Sequence, residues 1–347
     1  MQLMEATLEE LTALLLSLGE PAYRAKQVYA WLLRGVRPGG MTNLPKTLRE
    51  KLALQPFGGA EIERKLISER DGTAKYLYRL DDENLVEGVL MRYHYGNTVC
   101  ISTQVGCNMG CRFCASTLNG CVRSLTAGEM LCEVGAVERS ETPPENGQRA
   151  VTNIVLMGSG EPLDNYDHVI RFLRTVTAPD GFGVSPRNIS VSTCGVVPRM
   201  LTFCDDAPHV TLSVSLHAHD DETRSSLMPI NRVYPLAEVL QAARHYAEAT
   251  KRRVVFEYAL IDGVNASMAD ADALAKLLSG MLCHVNLIPL NPVPERGLSG
   301  ATRAQAGAFM ERLCAHHISA TVRREMGTDI EGACGQLRRK VLDEVRS

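Results

Sequence analysis

The chain has 347 residues, 45% of them hydrophobic and 22% charged, which is ordinary for a globular protein and leaves room for one large domain and one small one. The formal net charge of −3 gives no global basic signature and by itself argues against nucleic acid, so any such partner must be met through local patches. No apolar run nears the roughly 20 residues a bilayer crossing needs, and the acidic start MQLMEATLEE lacks the basic and apolar regions of a signal peptide. A cytoplasmic protein with no membrane partner is expected, and in that reducing setting its eleven cysteines point to metal binding or catalysis rather than disulfides.

Apolar residues recur at helical spacing over 8–18, until Gly19-Glu20-Pro21 breaks the pattern, and again over 22–34 and 45–54. These predict a small helical N-terminal domain over residues 1–60. Residues 61–97 instead hold short alternating strands around Asp71-Gly72 and Asp81-Asp82, the pattern of an antiparallel β connector. From residue 98 to 326 the rhythm becomes strand then helix. Strands are predicted at 98–103, 153–157, 188–193, 209–215, 253–260 and 283–288, with helices near 126–139, 167–177, 235–249 and 268–280 and shorter ones elsewhere. Thr126 and Glu129 fit a capping box opening the first of these helices. Six βα units are too few for a closed eight-stranded barrel, so the α/β core is expected to be a partial (β/α)6 barrel, with a doubly wound sheet as the alternative. Either architecture places chemistry at the C-terminal ends of the strands. A polar insertion fills 141–149, and the segment 327–347 follows the core.

Cys107, Cys111 and Cys114 come directly after the first core strand, in TQVGCNMGCRFCAST. A C-x3-C-x2-C loop can bring three thiolates to three corners of an iron–sulfur cube, whose usual full set is four. One iron then keeps an open position, which suits catalysis. A zinc site completed by a distant Cys or His, or chance in a cysteine-rich chain, are the other readings. After the second core strand, MGSGEPLDN carries a glycine-rich turn that lets backbone approach a ligand, and Glu161 could accept from an ammonium group. STCG, SLH and NLIPLNP end the third, fourth and sixth strands with polar groups at the same sheet edge.

With Phe113 before its last cysteine, the motif resembles that of the radical S-adenosylmethionine (SAM) superfamily. The resemblance implies a partial (β/α)6 barrel and one 4Fe-4S cluster held by Cys107, Cys111 and Cys114, with SAM on the fourth iron and cleaved to a 5′-deoxyadenosyl radical. GSGE resembles the superfamily's GGEP motif, which implies that Gly160 and Glu161 bind SAM; Ser159 departs from the usual residue there. Ser192, Ser215, Leu216, His217 and Asn291 match SAM-binding positions of one subfamily.

Cys100, in NTVCISTQVGC, and Cys334, in GTDIEGACGQLRRK, complete a resemblance that runs through nearly the whole chain. RAKQVYAWL, CISTQVGCNMGCRFCAST, MGSGEPLDN, SLHAHDDETRSSLMPIN, HVNLIPLNPVPER and DIEGACGQLR follow in the order of the RlmN/Cfr family of RNA adenine methyltransferases. Carbon 2 of adenine lies between two ring nitrogens and is too electron-poor to attack a methyl group. The resemblance implies another route, with two SAM per turnover. One methylates the thiolate of Cys334, and the second generates the radical that takes a hydrogen from this S-methylcysteine. The methylene radical adds to the base, Cys100 breaks the resulting link, and Glu87 matches the family's proposed base. Both cysteines must act as thiolates.

The substrates implied are 23S rRNA, at an adenosine of the peptidyl transferase centre, and the adenosine 3′ of the anticodon in some tRNAs. The target base must leave its stack to react. The N-terminal domain resembles the family's helix-hairpin-helix-like RNA-binding element. A monomer and an electron donor such as flavodoxin or ferredoxin are expected. Basic clusters at Lys251–Arg253, Arg323–Arg324 and Arg338–Lys340 could neutralise phosphates. The rival within the family methylates carbon 8 of the same rRNA adenine; the rival outside it is a non-enzymatic zinc RNA-binding protein. Cys121, Cys132, Cys194, Cys204, Cys283 and Cys314 carry no assigned role; Cys121 and Cys194 are departures from the family pattern.

Overall fold

The computed structural model describes residues 2–141, 149–291 and 293–330; Cys334 and the Arg338–Lys340 cluster lie outside the described residues. The first helix, α1 (Leu8–Ser17), is opened by Thr7. The Thr7 hydroxyl accepts from the Glu10 N–H and the Glu10 carboxylate accepts from the Thr7 N–H, which satisfies two donors that a helix start leaves orphaned. Helices α2 (Arg24–Leu32) and α3 (Lys46–Ala53) follow. Leu11, Leu15, Val28, Leu32, Leu48 and Leu52 are buried, each contributing about 1.5–3 kcal/mol. They belong to the same continuous core as the sheet behind them.

Strands β1 (Ala60–Ile67), β2 (Ala74–Leu80) and β3 (Leu85–Tyr93) run antiparallel up to β4 (Gly96–Cys100). A short hairpin of β5 (Gln104–Gly106) and β6 (Cys121–Ser124) then brackets the cysteine loop. The remainder alternates: α4 (Ala127–Ser140), β7 (Asn153–Leu156), α5 (Tyr166–Thr177), β8 (Ile189–Thr193), α6 (Val197–Asp206), β9 (Thr211–Ser215), α7 (Asp221–Leu227), α8 (Leu236–Thr250), β10 (Val254–Leu260), α9 (Met268–Leu278), β11 (Cys283–Pro289), α10 (Arg303–Ala315) and β12 (Ala320–Val322). Each core strand and helix expected from the sequence forms. The capping box at Thr126 and Glu129 is closed on both sides.

All the larger strands join one sheet in the order β1-β2-β3-β4-β7-β8-β9-β10-β11-β12, parallel from β4 onward. The antiparallel stretch expected as a connector is therefore a direct extension of the partial barrel, joined where Val89 pairs with Cys100. A seventh parallel strand, β12, is only three residues long, too short for periodicity to reveal.

Alternation along the strands sorts the two faces. Ile189 and Val191, Leu212 and Val214, Phe256 and Tyr258, and Val285 and Leu287 turn into the buried core that the helices complete. Ser190, Ser192, Ser213, Ser215, Glu257 and Asn286 line the opposite face. There the Ser190 and Ser213 hydroxyls meet at 2.8 Å and Asn286 Nδ2 donates to Glu257 Oε2 at 2.7 Å. A parallel sheet normally buries both faces in apolar layers. A polar inner face marks a lumen built to hold something polar.

Candidate active site

The cysteine loop leaves β5 at Gly106, whose φ of +85° and close approach to the Gly120 carbonyl exclude a side chain. Cys107 N–H donates to the Gly120 carbonyl at 3.0 Å, while the Thr117 hydroxyl lies within 3.1 Å of the Cys111 carbonyl and 3.0 Å of the Cys114 carbonyl. Arg112 N–H donates to the Leu227 carbonyl at 2.9 Å, tying the loop to the end of α7. Cys107 and Cys111 are buried and Cys114 half-buried. Burial, helped by the neighbouring sulfurs and Glu161, pushes the Cys107 thiol up to about 12 and the Cys111 thiol higher still. Cys107 and Cys111 thus sit where bare thiolates are disfavoured; bound metal would reverse that preference. Among the described residues no three His, Cys, Asp or Glu side chains converge as ligands of one metal ion. The donor set fits an iron–sulfur cluster.

The loop after β7 lies directly on this hairpin. The Ser159 carbonyl accepts from Thr103 N–H (2.8 Å) and Gln104 N–H (3.0 Å), and the Ser159 hydroxyl donates to the Gly106 carbonyl (3.2 Å). Gly160 has a φ of +111°, and a Cβ there would stand 2.7 Å from the Gln104 nitrogen. Glu161 is buried, and both its oxygens are engaged: Oε1 accepts from Leu163 N–H at 3.0 Å and Oε2 from Cys194 N–H at 2.7 Å. Burial raises its pKa against the pull of those bonds. The carboxylate thus pins the ends of β7 and β8 together, a structural duty the sequence did not reveal.

Ser192 and Ser215 face the lumen from β8 and β9. Leu216 turns its side chain into the core, donates its N–H to the Glu257 carbonyl at 3.0 Å and accepts from Arg224 Nε at 3.2 Å. His217 takes a left-handed conformation, φ +58°, stabilised where Asn265 Nδ2 donates to its carbonyl at 2.7 Å. Its Nδ1 accepts the Ala259 N–H at 2.9 Å, which leaves the proton on Nε2. Burial, reinforced by Arg224, pulls its pKa down to about 3, so the ring is neutral. Asn291 lies exposed just past β11.

On the antiparallel side, Glu87 stands two residues from Val89, the partner of Cys100, so Glu87 and Cys100 share a sheet face. Both are buried, and the Lys75 ammonium, with no exposure at all, lies 3.4 Å from Glu87. Cys100 forms a cluster with Val89 and Met91, against which Val155, Met157 and Met326 pack. Just beyond Met326 the chain is fastened to the β1–β2 turn, Gly327 N–H donating to Asp71 at 2.9 Å and Asp329 accepting from the Ser68 hydroxyl at 2.7 Å. The described chain thus passes the Cys100 cluster at Met326 and ends at Ile330, held at the β1–β2 turn. Ser102 is the hub between these parts. Its hydroxyl donates to the Glu87 carbonyl (2.8 Å) and accepts from Ser159 N–H (3.0 Å), while its own N–H donates to Glu133 (3.1 Å). Sequence reasoning missed Lys75, Ser102, Glu133 and Arg224. Each looks like an ordinary strand or helix residue until pairing brings it to the site. The basic run Lys251–Arg253 precedes β10 and so lies at the opposite end of the barrel from the site.

Residues 101–275 match the model of the Radical SAM superfamily, and residues 1–55 match that of the ribosomal RNA large subunit methyltransferase N-terminal domain. A probable dual-specificity RNA methyltransferase RlmN of Thermoanaerobacter sp. (strain X514) is 48% identical over 345 residues, covering 99% of each chain. The chain belongs to the RlmN family of radical SAM methyltransferases. Another RlmN relative, from Lachnoclostridium phytofermentans, is 51% identical over 342 residues, 97% of this chain and 94% of its own. A crystal structure of a radical SAM methyltransferase from Sphaerobacter thermophilus superposes with a TM-score of 0.91 at 46% identity, covering 97% of this chain and 98% of that one. The protein is accordingly an enzyme with a partial-barrel fold, and RlmN-family membership brings with it a 4Fe-4S cluster and SAM. No helix among the described residues is long and apolar enough to cross a membrane.

Proposed function

We propose that this enzyme methylates carbon 2 of adenosine, in 23S rRNA at the peptidyl transferase centre and in some tRNAs at the position 3′ of the anticodon. Cys107, Cys111 and Cys114 hold the cluster, and the lumen edge formed by Gly160, Glu161, Ser192, Ser215, Leu216, His217 and Asn291 holds SAM. Bound there, the two supply the radical and the methyl group. Everything else falls to the chain's own residues. Cys334 accepts the methyl on sulfur and presents it, as a carbon radical, to the ring. Glu87 takes the ring proton, and Cys100 acts as the thiolate that releases the methylated base from Cys334. Residues 1–60 grip RNA, 61–97 carry Glu87, 98–326 form the radical SAM core and 327–347 deliver Cys334. A cytoplasmic monomer reduced by a flavodoxin or ferredoxin completes the picture.

The observation that supports this reading best is the shared face of Glu87 and Cys100 at the sheet junction, with Met326 packed against the Cys100 cluster. A base and a resolving thiol belong together, and Met326, on the way to Cys334 in sequence, packs against the cluster that holds Cys100. Replacing Cys100 by alanine should let the covalent step proceed and block release, so that full-length protein incubated with substrate RNA, SAM and a reductant stays crosslinked to RNA on a denaturing gel. Normal methylation with no crosslink would remove Cys100 from this role.

A further inference from the structure

Arg224, the fourth residue of α7, is wholly buried. Its Nε donates to the Leu216 carbonyl (3.2 Å) and Nη1 to the Asn231 side-chain oxygen (2.7 Å). Nη2 donates to the carbonyls of Cys194 (2.7 Å) and Ser215 (3.1 Å). All four acceptors are neutral. Buried cations are usually matched by a carboxylate hydrogen-bonded to them, because neutral dipoles return only part of the lost hydration. The carboxylate whose field reaches Arg224 is Asp221, yet its Oδ1 is taken by Asn231 Nδ2 and Leu236 N–H, both at 2.8 Å. Among the described residues the sulfurs of Cys194 and Cys111 also act on the guanidinium, and burial keeps the Cys194 thiol neutral. Cys111 belongs to the three-cysteine loop, packs with Cys194, Leu227 and Met228, and is flanked by the Arg112–Leu227 bond to the end of α7. Among the described residues, then, a buried cation with no ion-pairing carboxylate sits beside the cysteine loop, held by the ends of β8 and β9.

We propose that Arg224 is the fixed counter-charge of the cluster, a positioning residue that clamps the β8 and β9 ends and stabilises negative charge on the group bound through Cys111. The proposal rests on the three-cysteine reading of the site. Three thiolates outweigh the positive charge of an oxidised four-iron core, and reduction by one electron adds more negative charge. A buried cation favours the reduced state, because its field is screened little in a dry interior. Neutral acceptors suit this duty, since a paired carboxylate would cancel the field.

The test uses full-length protein reconstituted anaerobically with iron and sulfide, without SAM or RNA, as wild type, Arg224→Gln and Arg224→Lys. Iron and sulfide content is measured, and the reduced cluster is then quantified by electron paramagnetic resonance across a series of poised potentials. Arg224→Lys keeps the charge and loses the four-bonded fork; Arg224→Gln does the reverse in part. The expected result is a wild-type midpoint for Arg224→Lys and a shift to more negative potential for Arg224→Gln. At fixed potential the ratio of reduced to oxidised cluster should fall on the order of tenfold, as loss of one weakly screened unit charge predicts. Coincident titrations of Arg224→Gln and wild type would overturn the proposal, and so would an equal shift in both variants. Should Arg224→Gln assemble no cluster, the lysine variant decides: wild-type iron content and midpoint uphold the role of charge, and loss of either refutes it. A wild-type chain that binds no four-iron cluster would remove the reading beneath the proposal, and the proposal with it.

Discussion

The rings of Phe113 and His217 meet edge to face, their centroids 4.6 Å apart and their planes at 71°. The first lies in the cysteine loop and the second at the end of β9, so this contact joins that loop to the lumen. Its geometry is the arrangement aromatic pairs prefer, worth about 0.5–1.5 kcal/mol beyond simple burial. Phe113→Ala should lower iron retained per chain after reconstitution and gel filtration, while the unfolding midpoint in urea drops only modestly. Iron content equal to wild type would show that the loop does not need this buttress.

His217 also ties stability to pH. Its folded pKa of about 3 lies below the ordinary 6.5, so the unfolded chain takes up the proton first. Its contribution is full above about pH 6.5 and is lost as pH falls toward 3. His217→Asn should therefore shrink the fall in stability between pH 7 and pH 5, measured by urea denaturation. Parallel losses in both proteins would contradict the assignment.

Glu133 runs the opposite way. It is wholly buried in α4, one oxygen accepts the Ser102 N–H, the other has no partner among the described residues, and burial raises its pKa well above 4.5. An acid whose folded pKa is raised gives stability that is complete below pH 4.5 and declines as pH rises. Glu133→Gln keeps an oxygen for Ser102 and removes the ionisation. It should raise the melting temperature at pH 8 and lose that advantage near pH 4. A variant that is less stable at pH 8 would mean that the carboxylate is ionised and held.

Gly160→Ala tests how closely the loop after β7 must lie on β5. The added methyl meets backbone, which cannot rotate away, in a conformation that side chains avoid. A loss of about 2 kcal/mol or more is expected from clash and strain together. Urea midpoints within error of wild type would show that the loop can lift.

The partial barrel was legible because its strands are short apolar runs that alternate with helical stretches, each closed by Gly, Pro or a polar turn. The three loop cysteines and GSGE were legible because they are local. What sequence could not show was pairing across distance. Lys75 meets Glu87 only because β2 and β3 align with Leu77 opposite Glu87. Arg224 sits in DDETRSSL and looks like an exposed helical charge, yet it spans the ends of two strands. Net charge misled for a related reason: a sum over 347 residues says nothing about one face.

Carbon-2 methylation of adenosine in RNA is decided by identifying the product. RNA treated with the reconstituted full-length enzyme, SAM and a reductant is digested to nucleosides and separated by mass spectrometry against both methyladenosine standards. The account predicts 2-methyladenosine, abolished by Cys334→Ala. Finding 8-methyladenosine without 2-methyladenosine, or no methylated adenosine from protein that holds its cluster, would contradict it.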